Sequence, residues 1–493
     1  MPVVPRLTAE LRSDYYSAMG RLVMVSNRVP AASDLDPSNR GAGAVGGLVS
    51  AVRASLVETG GMWVGWSGRA VPRRSRNGSE VAQTPGVVDL ATIDLTSDEI
   101  NLFYNGFSNR TLWPILHSFI ERTQIRPDTY RAYRRVNRRY ATALGSVLSD
   151  DDLVWIHDYH LFFVGEELRR LGWKGKLGFF LHIPFPAADI FSILPWSRDI
   201  LASMLSFDLI GVHTRRYLFN LVDAFGSELG GDWNGIDLGY GERSSRLGVY
   251  PIGIDPSTFQ NAARSSSESL KRMLNLDPST QVIIGVDRLD YTKGIPHRLQ
   301  AYSRMLEQHR QIQGKVTFVQ ISNPSRARVP EYIRERETVE RLTGEINGRY
   351  SDGAWIPVRY LYRQFSQESL AAFYRDADVN MVTPIRDGMN LIAKEFVVSQ
   401  LDDPGVLMLS SLTGAAAELT DAVIVNPYDI DGMARSLYNA LRMPLAERKS
   451  RWQRMNEAVI RNTASGWSST FTSDLETANL GLLARTSVLK FGY

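Results

Sequence analysis

Short β-branched or aromatic runs separated by helical patterns recur along the whole chain, and this alternation restricts it to βαβ units on parallel sheets. In the first half the runs are Leu22–Val25, Met62–Gly65, Leu153–Ile156, Lys176–Leu181 and Leu209–Val212. In the second half they are Val282–Val286, Val316–Ile321, Trp355–Tyr360, Val379–Val382, Val406–Leu409 and Ala422–Val425. Between the sets, Val249–Pro256 carries two prolines and a glycine, the make-up of a hinge and not of an element interior. A chain of 493 residues is also too long for one ordinary core. The expected architecture is two α/β domains facing each other across a cleft. Arg74–Gly78 and Gly230–Arg243 read as surface loops, and the pattern after Pro444 reads as helical to Leu483.

Several function classes are excluded at this level. Formal net charge is only +3, so nothing points to a nucleic-acid partner or a membrane surface. There is no cysteine, which removes disulfides, thiolate metal sites and cysteine nucleophiles together. No apolar run approaches the length that spans a bilayer. Residues 1–20 carry Arg6, Glu10, Arg12 and Asp14 and lack the apolar segment of a secretory signal, so a cytoplasmic location is expected.

The chemistry-bearing residues cluster where strands end. Pro384–Phe396 follows Val379–Val382 and turns from strand to loop to helix. There Asp387 projects a carboxylate, the amides from Gly388 to Leu391 open a helix N-terminus suited to anions, and Glu395 lies further down the helix. Arg288 and Lys293 leave the turn after Val282–Val286, and two cations there suit a pyrophosphate; the bland reading is a surface ion-pair cluster with Asp287 and Asp290. Arg28 and Arg326 are further strand-end arginines. Asp158, after Leu153–Ile156, reads as an acceptor for sugar hydroxyls or a partner for a basic residue. His182 follows Lys176–Leu181 beside a rigid Pro184–Pro186 turn and reads as a cleft contact or a satisfied core histidine. His157 and His160 are weak evidence for a metal without a third ligand. Gly41–Gly46 spells a GxGxxG, but about fifteen residues separate it from its strand, so Gly46 and Gly47 read as loop amides near a phosphate. Asp150–Asp152 precedes a strand and reads as a solvated turn. Together these residues suggest a cleft for a phosphorylated sugar and a nucleotide.

At these positions the chain resembles the α,α-trehalose-phosphate synthases, retaining glycosyltransferases of family 20 with the GT-B architecture of two Rossmann-like domains. The resemblance runs from about Arg21 to about Thr472. It is carried by Val25–Arg28, Gly46–Gly47, Gly65–Gly68, Tyr104–Asn105, Trp113–Pro114, His157–His160, His182–Pro186, Arg288–Tyr291, Lys293–Gly294, Arg326, Asp387–Leu391, Lys394–Glu395 and Gly414–Ala416, in order and at spacing. It implies an N-terminal acceptor domain over 1–252, joined by a C-terminal helix at about 475–493, and a donor domain over 253–474.

The resemblance further implies residue roles. Arg28 and Arg326 would clamp the phosphate of glucose 6-phosphate, with Trp66, Tyr104 and Trp113 shaping that pocket and Asp158 holding acceptor hydroxyls. His182 would face the donor sugar, and Arg288 and Lys293 the UDP diphosphate. Gly46 and Gly47 would approach the donor as loop amides. Asp387, Gly388, Met389, Asn390 and Leu391 would bind the donor glucose, Glu395 the ribose hydroxyls, and Phe365 the uracil. Catalysis would rest on Asp158, His182, Arg288, Lys293 and Asp387.

The reaction implied is glucosyl transfer from UDP-glucose to glucose 6-phosphate by same-face attack, without a covalent enzyme intermediate, a metal or another cofactor. A homo-oligomer, dimer or tetramer, would be expected. The segment 1–20 and an enlarged 230–243 depart from the family pattern, and the length to Tyr493 leaves phosphate removal to another protein. The alternatives are a transferase with a different phosphorylated acceptor and a non-catalytic sugar-phosphate sensor.

Overall fold

The structure, a computed structural model, describes residues 20–31, 56, 61–72, 81–84, 88–326 and 329–478. Gly46, Gly47, the GxGxxG segment and all of Arg74–Gly78 lie outside the described residues. The chain divides into two compact units, with the boundary between Tyr250 and Pro251, and residues from Ser468 onward group with the first.

The first unit is built on a ten-stranded sheet. Its strands are β1 (Leu22–Arg28), β2 (Met62–Val71), β3 (Ala82–Thr84), β4 (Asp89–Thr96), β5 (Leu153–His157), β6 (Leu177–Leu181), β7 (Leu209–Val212), β8 (Asp232–Trp233), β9 (Asp237–Tyr240) and β10 (Arg243–Val249). The order is β3-β4-β2-β1-β5-β6-β7-β10-β9-β8, with β4 through β10 parallel and β3, β9 and β8 antiparallel at the edges. The central strands are buried on both faces, which is why they read as continuous apolar runs. Gly178 and Gly211 leave room over β6 and β7 for Phe471, since a Cβ at either would stand 2.8 Å from its ring. Phe471 stacks on Trp155 at 4.2 Å, and Asp474 Oδ2 accepts from the Tyr250 hydroxyl at 2.7 Å. These contacts fasten the C-terminal segment to the first sheet.

The second unit holds a six-stranded parallel sheet of β11 (Gln281–Arg288), β12 (Val316–Asn323), β13 (Val358–Leu361), β14 (Val379–Val382), β15 (Val406–Ser410) and β16 (Val423–Val425). Its order, β13-β12-β11-β14-β15-β16, is the doubly wound dinucleotide-fold order. The core under this sheet includes Ile283, Leu299, Tyr302, Phe318, Met381, Met408 and Leu437.

Two expectations need correction. Gly230–Arg243 is not a plain loop: it carries β8 and β9, paired antiparallel with each other and with β10. Asp152 is not solvated: it is buried, its carboxylate holds Arg21 at 2.8 Å, and it accepts from the Ser149 amide. The region after Pro444 is helical as expected, in two helices, Leu445–Arg461 and Ala464–Thr477, parted at Asn462 and Thr463, and residues 479–483 lie outside the described residues.

Candidate functional site

In the second unit the sheet order reverses between β11 and β14, and strand ends diverge there to leave the crevice where open parallel sheets bind ligands. Lys293 leaves β11 and Asp387 leaves β14, and they meet at that point as an ion pair, both mostly buried. Asn390 Nδ2 donates to the same Asp387 oxygen at 3.0 Å. The Asp387 loop is pinned from its neighbours: the Asp387 amide donates to Leu412 O at 3.2 Å, and Met389 O accepts from the Ala415 amide at 2.8 Å. Gly414 permits this approach, because a Cβ there would lie 2.0 Å from the Gly388 carbonyl oxygen.

The helix Leu391–Ser399 starts beside this pair, capped by Asn390 in a left-handed conformation at φ 74°. Its first amides supply partial positive charge on the Lys293 side. Glu395, on its second turn, is burdened by burial, and its carboxyl is pushed up to about 7; the buried Tyr374 hydroxyl donates to it at 3.4 Å. Lys394 is turned the other way, fully buried against Glu418 at 2.7 Å and the Ile252 carbonyl at 2.8 Å. Arg288, the last residue of β11, is exposed at the same sheet edge. Phe365 is half-buried, edge-on to Phe373 at 5.1 Å, with the Arg363 guanidinium 4.3 Å from its ring centre.

The bland alternative, a surface ion-pair cluster with Asp287 and Asp290, does not hold, because both acids are interior. Asp287 is buried against the fully buried Arg298, whose Nη1 donates to it at 2.8 Å and to Gln320 Oε1 at 3.0 Å. Arg298 Nε also reaches Thr383 Oγ1 at 3.2 Å, so one guanidinium ties the ends of β11, β12 and β14 together. Asp290 pairs with Arg326, whose φ of 43° is unusual for a side-chain-bearing residue. Arg326 Nη1 also donates to the Tyr332 hydroxyl.

In the first unit the order reverses between β1 and β5. Arg28 closes β1, exposed, and the strand register sets it beside Trp66 of β2. Gly68 accommodates its guanidinium: a Cβ there would meet Arg28 Nε and Nη2 at 2.7 Å. Trp66 begins an aromatic wall that continues through Tyr104 (5.9 Å) and His160 (5.9 Å, stacked) to Tyr159 (3.9 Å) and Trp113 (5.7 Å). Tyr104 stands on a π-helix, Ile100–Leu112, a rare conformation that concentrates at functional sites.

Asp158 follows β5 with φ 74°, held by its amide on Phe180 O at 2.8 Å and by its carboxylate on the His182 amide at 3.3 Å. His182 Nε2 lies 3.0 Å from His157 Nδ1. Burial, and then the neighbouring His157 and His213, hold His182 well below the ordinary imidazole range. Burial alone takes His157 to about 3. Both rings are therefore neutral near pH 7, and His182 offers a polar contact without a charge.

The structure thus gathers Lys293, Asp387, Gly388, Met389, Asn390, Leu391 and Glu395 at one crevice of the second unit, with Arg288 at its edge. It sets Arg28 and Trp66 with Tyr104, and Asp158 with His182, in the first. Sequence reasoning missed Arg298 and Tyr332, and it weighed His157 only as a weak metal candidate and Asp290 only as part of a surface ion pair. Arg298 had a readable signal: it falls on the apolar stripe Ile295, Leu299, Tyr302 of its helix, where an arginine needs a buried partner. Among the described residues no group of histidines and carboxylates is placed to hold a metal ion, and no helix is long and apolar enough to cross a membrane.

Comparison with known proteins gives a consistent picture. The family model described as glycosyltransferase family 20 matches residues 20–477. A trehalose-6-phosphate synthase of Sinorhizobium fredii is 39% identical over 467 residues, covering 93% of this chain and 98% of that protein. The solved structure of an α,α-trehalose-phosphate synthase (UDP-forming) from Burkholderia xenovorans in complex with glucose-6-phosphate superposes with a TM-score of 0.86 at 40% identity, covering 93% of this chain and all of that one. An E. coli structure bound with UDP-2-fluoro glucose matches at a TM-score of 0.86 and 36% identity, covering 95% of this chain and all of the other.

Proposed function

The chain belongs to glycosyltransferase family 20, and from that membership together with the second-unit crevice we infer that it is a trehalose-6-phosphate synthase. It transfers glucose from UDP-glucose to glucose 6-phosphate, giving α,α-trehalose 6-phosphate and UDP. The observation that carries this reading is the Lys293–Asp387 pair at the sheet reversal, with a helix N-terminus and a poised carboxyl beside it.

Breaking the anomeric bond of a nucleotide sugar builds negative charge on the departing diphosphate. Lys293 and Arg288 meet that charge, and Lys293 exchanges the Asp387 carboxylate for a phosphate oxygen. Asp387, released, accepts hydrogen bonds from hydroxyls of the donor glucose, which the Gly388–Leu391 backbone also contacts. Groups fixed by the fold before the charge develops are worth most in the transition state, and losing one such donor costs about 10²-fold or more in rate. Glu395 takes the ribose hydroxyls and Phe365 brackets the base. Arg28 binds the acceptor phosphate within the wall of Trp66, Tyr104 and Trp113, and Arg326 is a second phosphate-binding arginine. Asp158 orients acceptor hydroxyls, and neutral His182 contacts the donor sugar. Gly46 and Gly47 are assigned to the donor by the family resemblance. No carboxylate pair is assigned to an acid–base role, so transfer proceeds on one face of the sugar, with a leaving phosphate oxygen taking the acceptor proton.

The reaction needs no metal or other cofactor in this reading, the protein is cytoplasmic, and it works as a dimer or tetramer. The test is UDP release from UDP-glucose and glucose 6-phosphate with EDTA present and each substrate omitted in turn. UDP together with a non-reducing disaccharide phosphate, identified by mass, supports the reading. Binding of both ligands without turnover would make the protein a sensor, and turnover only with another sugar phosphate would change the acceptor.

A further inference from the structure

Asp290 lies in neither phosphate contact, yet it touches the elements that carry both. It is fully buried, and its two carboxylate oxygens serve different loops. Oδ1 accepts from the Thr292 amide at 3.0 Å and the Thr292 hydroxyl at 2.9 Å, closing the turn Tyr291–Lys293 that carries Lys293. The Asp290 carbonyl also accepts from the Lys293 amide at 3.0 Å, and Thr292 O accepts from the Ile385 amide at 2.8 Å, which docks this turn on the loop leading to Asp387. Oδ2 accepts from the buried Tyr332 hydroxyl at 2.9 Å and faces Arg326 Nη1 at 3.6 Å. Tyr332, in turn, accepts from Arg326 and stands edge-on to Tyr291 at 5.6 Å.

A buried carboxylate needs compensation for lost water, and burial alone would raise its pKa. Arg326 and then Arg288 outweigh that and hold Asp290 below the ordinary carboxylate range, so it is ionised at neutral pH. Arg326, at its positive φ, meets Asp290 directly, and its guanidinium also lies 5.3 Å from the centre of the Tyr332 ring.

We propose that Asp290 is a positioning residue with two separable arms: Oδ1 sets the Lys293 turn for the donor diphosphate, and Oδ2, through Tyr332, aims Arg326 at the acceptor phosphate. This rests on the donor and acceptor roles given above for Lys293 and Arg326. The arms make the effects divisible. Tyr332→Phe keeps the ring and removes only the hydroxyl that links Oδ2 to Arg326. Thr292→Val keeps the shape of the turn and removes only the hydroxyl on Oδ1. Asp290→Asn keeps the volume and removes the charge that both arms share.

Steady-state kinetics of the purified full chain, varying each substrate at saturation of the other, test this. Tyr332→Phe is expected to raise the glucose 6-phosphate KM about 5- to 20-fold with the UDP-glucose KM within about twofold of wild type. Thr292→Val is expected to do the reverse on a smaller scale, about 3- to 5-fold on the donor side. Asp290→Asn should raise both, and Asp290→Glu should not restore either, because the longer arm cannot satisfy both oxygens. Equal effects of Tyr332→Phe on both substrates, or a lowered melting temperature with both KM values unchanged, would overturn the division and leave Asp290 a structural residue. Wild-type turnover of the two substrates, measured in the same series, tests the functional reading itself, so the two cannot be confused.

Discussion

Glu395 allows a quantitative test, because its environment shifts its titration into the working pH range. Burial lifts its carboxyl from 4.5 to about 7. In the proposed function two ribose hydroxyls donate to Glu395, so they favour its carboxylate over its acid. If only the ionised form binds, the apparent Kd of UDP is multiplied by 1 + 10^(pKa − pH). That factor is about 1.1 at pH 8, about 2 at pH 7 and about 11 at pH 6, so UDP should bind roughly tenfold more weakly at pH 6 than at pH 8. Glu395→Gln retains an acceptor oxygen and cannot titrate, so its pH profile should lack this component. Calorimetry at the three pH values, in two buffers of different ionisation enthalpy, should also find about half a proton released per UDP bound at pH 7 by the wild type beyond that of the variant. The diphosphate's own titration appears in both proteins and cancels in the comparison. Parallel profiles for the two would refute the argument.

The same group affects stability with a definite sign. Its folded pKa exceeds the unfolded one, so its favourable contribution is complete below about 4.5 and is lost as pH rises through about 7. Glu395→Gln should therefore gain stability relative to wild type on going from pH 5 to pH 8, by at most about 3 kcal/mol and less in proportion to its contact with water.

Asp387→Ala should abolish turnover, as measured by UDP release, while leaving the circular dichroism spectrum and melting temperature close to wild type. Arg298→Met leaves the Asp287 carboxylate buried without its guanidinium and should destabilise by about 3–5 kcal/mol in urea unfolding, with part of the loss regained in the double variant with Asp287→Asn. Gly414→Ala forces a Cβ into the Gly388 carbonyl and should raise the UDP-glucose KM at least tenfold, with little change for glucose 6-phosphate.

Much of this was legible in the chain because parallel strands are buried on both faces. Leu153–His157 and Val379–Val382 are fully buried, so their apolar runs stand out and the charged residues after them mark the ligand edge. The strands that escaped notice obey other rules. Asp89–Thr96 mixes polar with apolar residues, and Arg243–Val249 is largely polar between β7 and the β9–β8 margin that replaces an expected loop. The π-helix under Tyr104 has no local sequence marker, since tertiary packing decides it. At the candidate site, the groups assigned to ligands are readable by residue type and by position at strand ends. Those that aim them are not: Tyr332 lies 42 residues from Asp290 in sequence, and only the folded sheet joins them.

Backbone geometry has a further consequence for engineering. Among the described residues, Asp158, Arg326 and Asn390 each hold φ between 43° and 74°, a region that glycine enters freely. Each such residue stores on the order of 1–3 kcal/mol. A screen that rewarded heat resistance alone would be drawn to glycine at those positions, and every round it won there would remove a side chain that the proposed function assigns to the phosphate, the acceptor hydroxyls or the donor loop. A thermostable variant selected that way would be a well-folded protein with its substrate grip edited out, so selection for durability here has to be run under turnover.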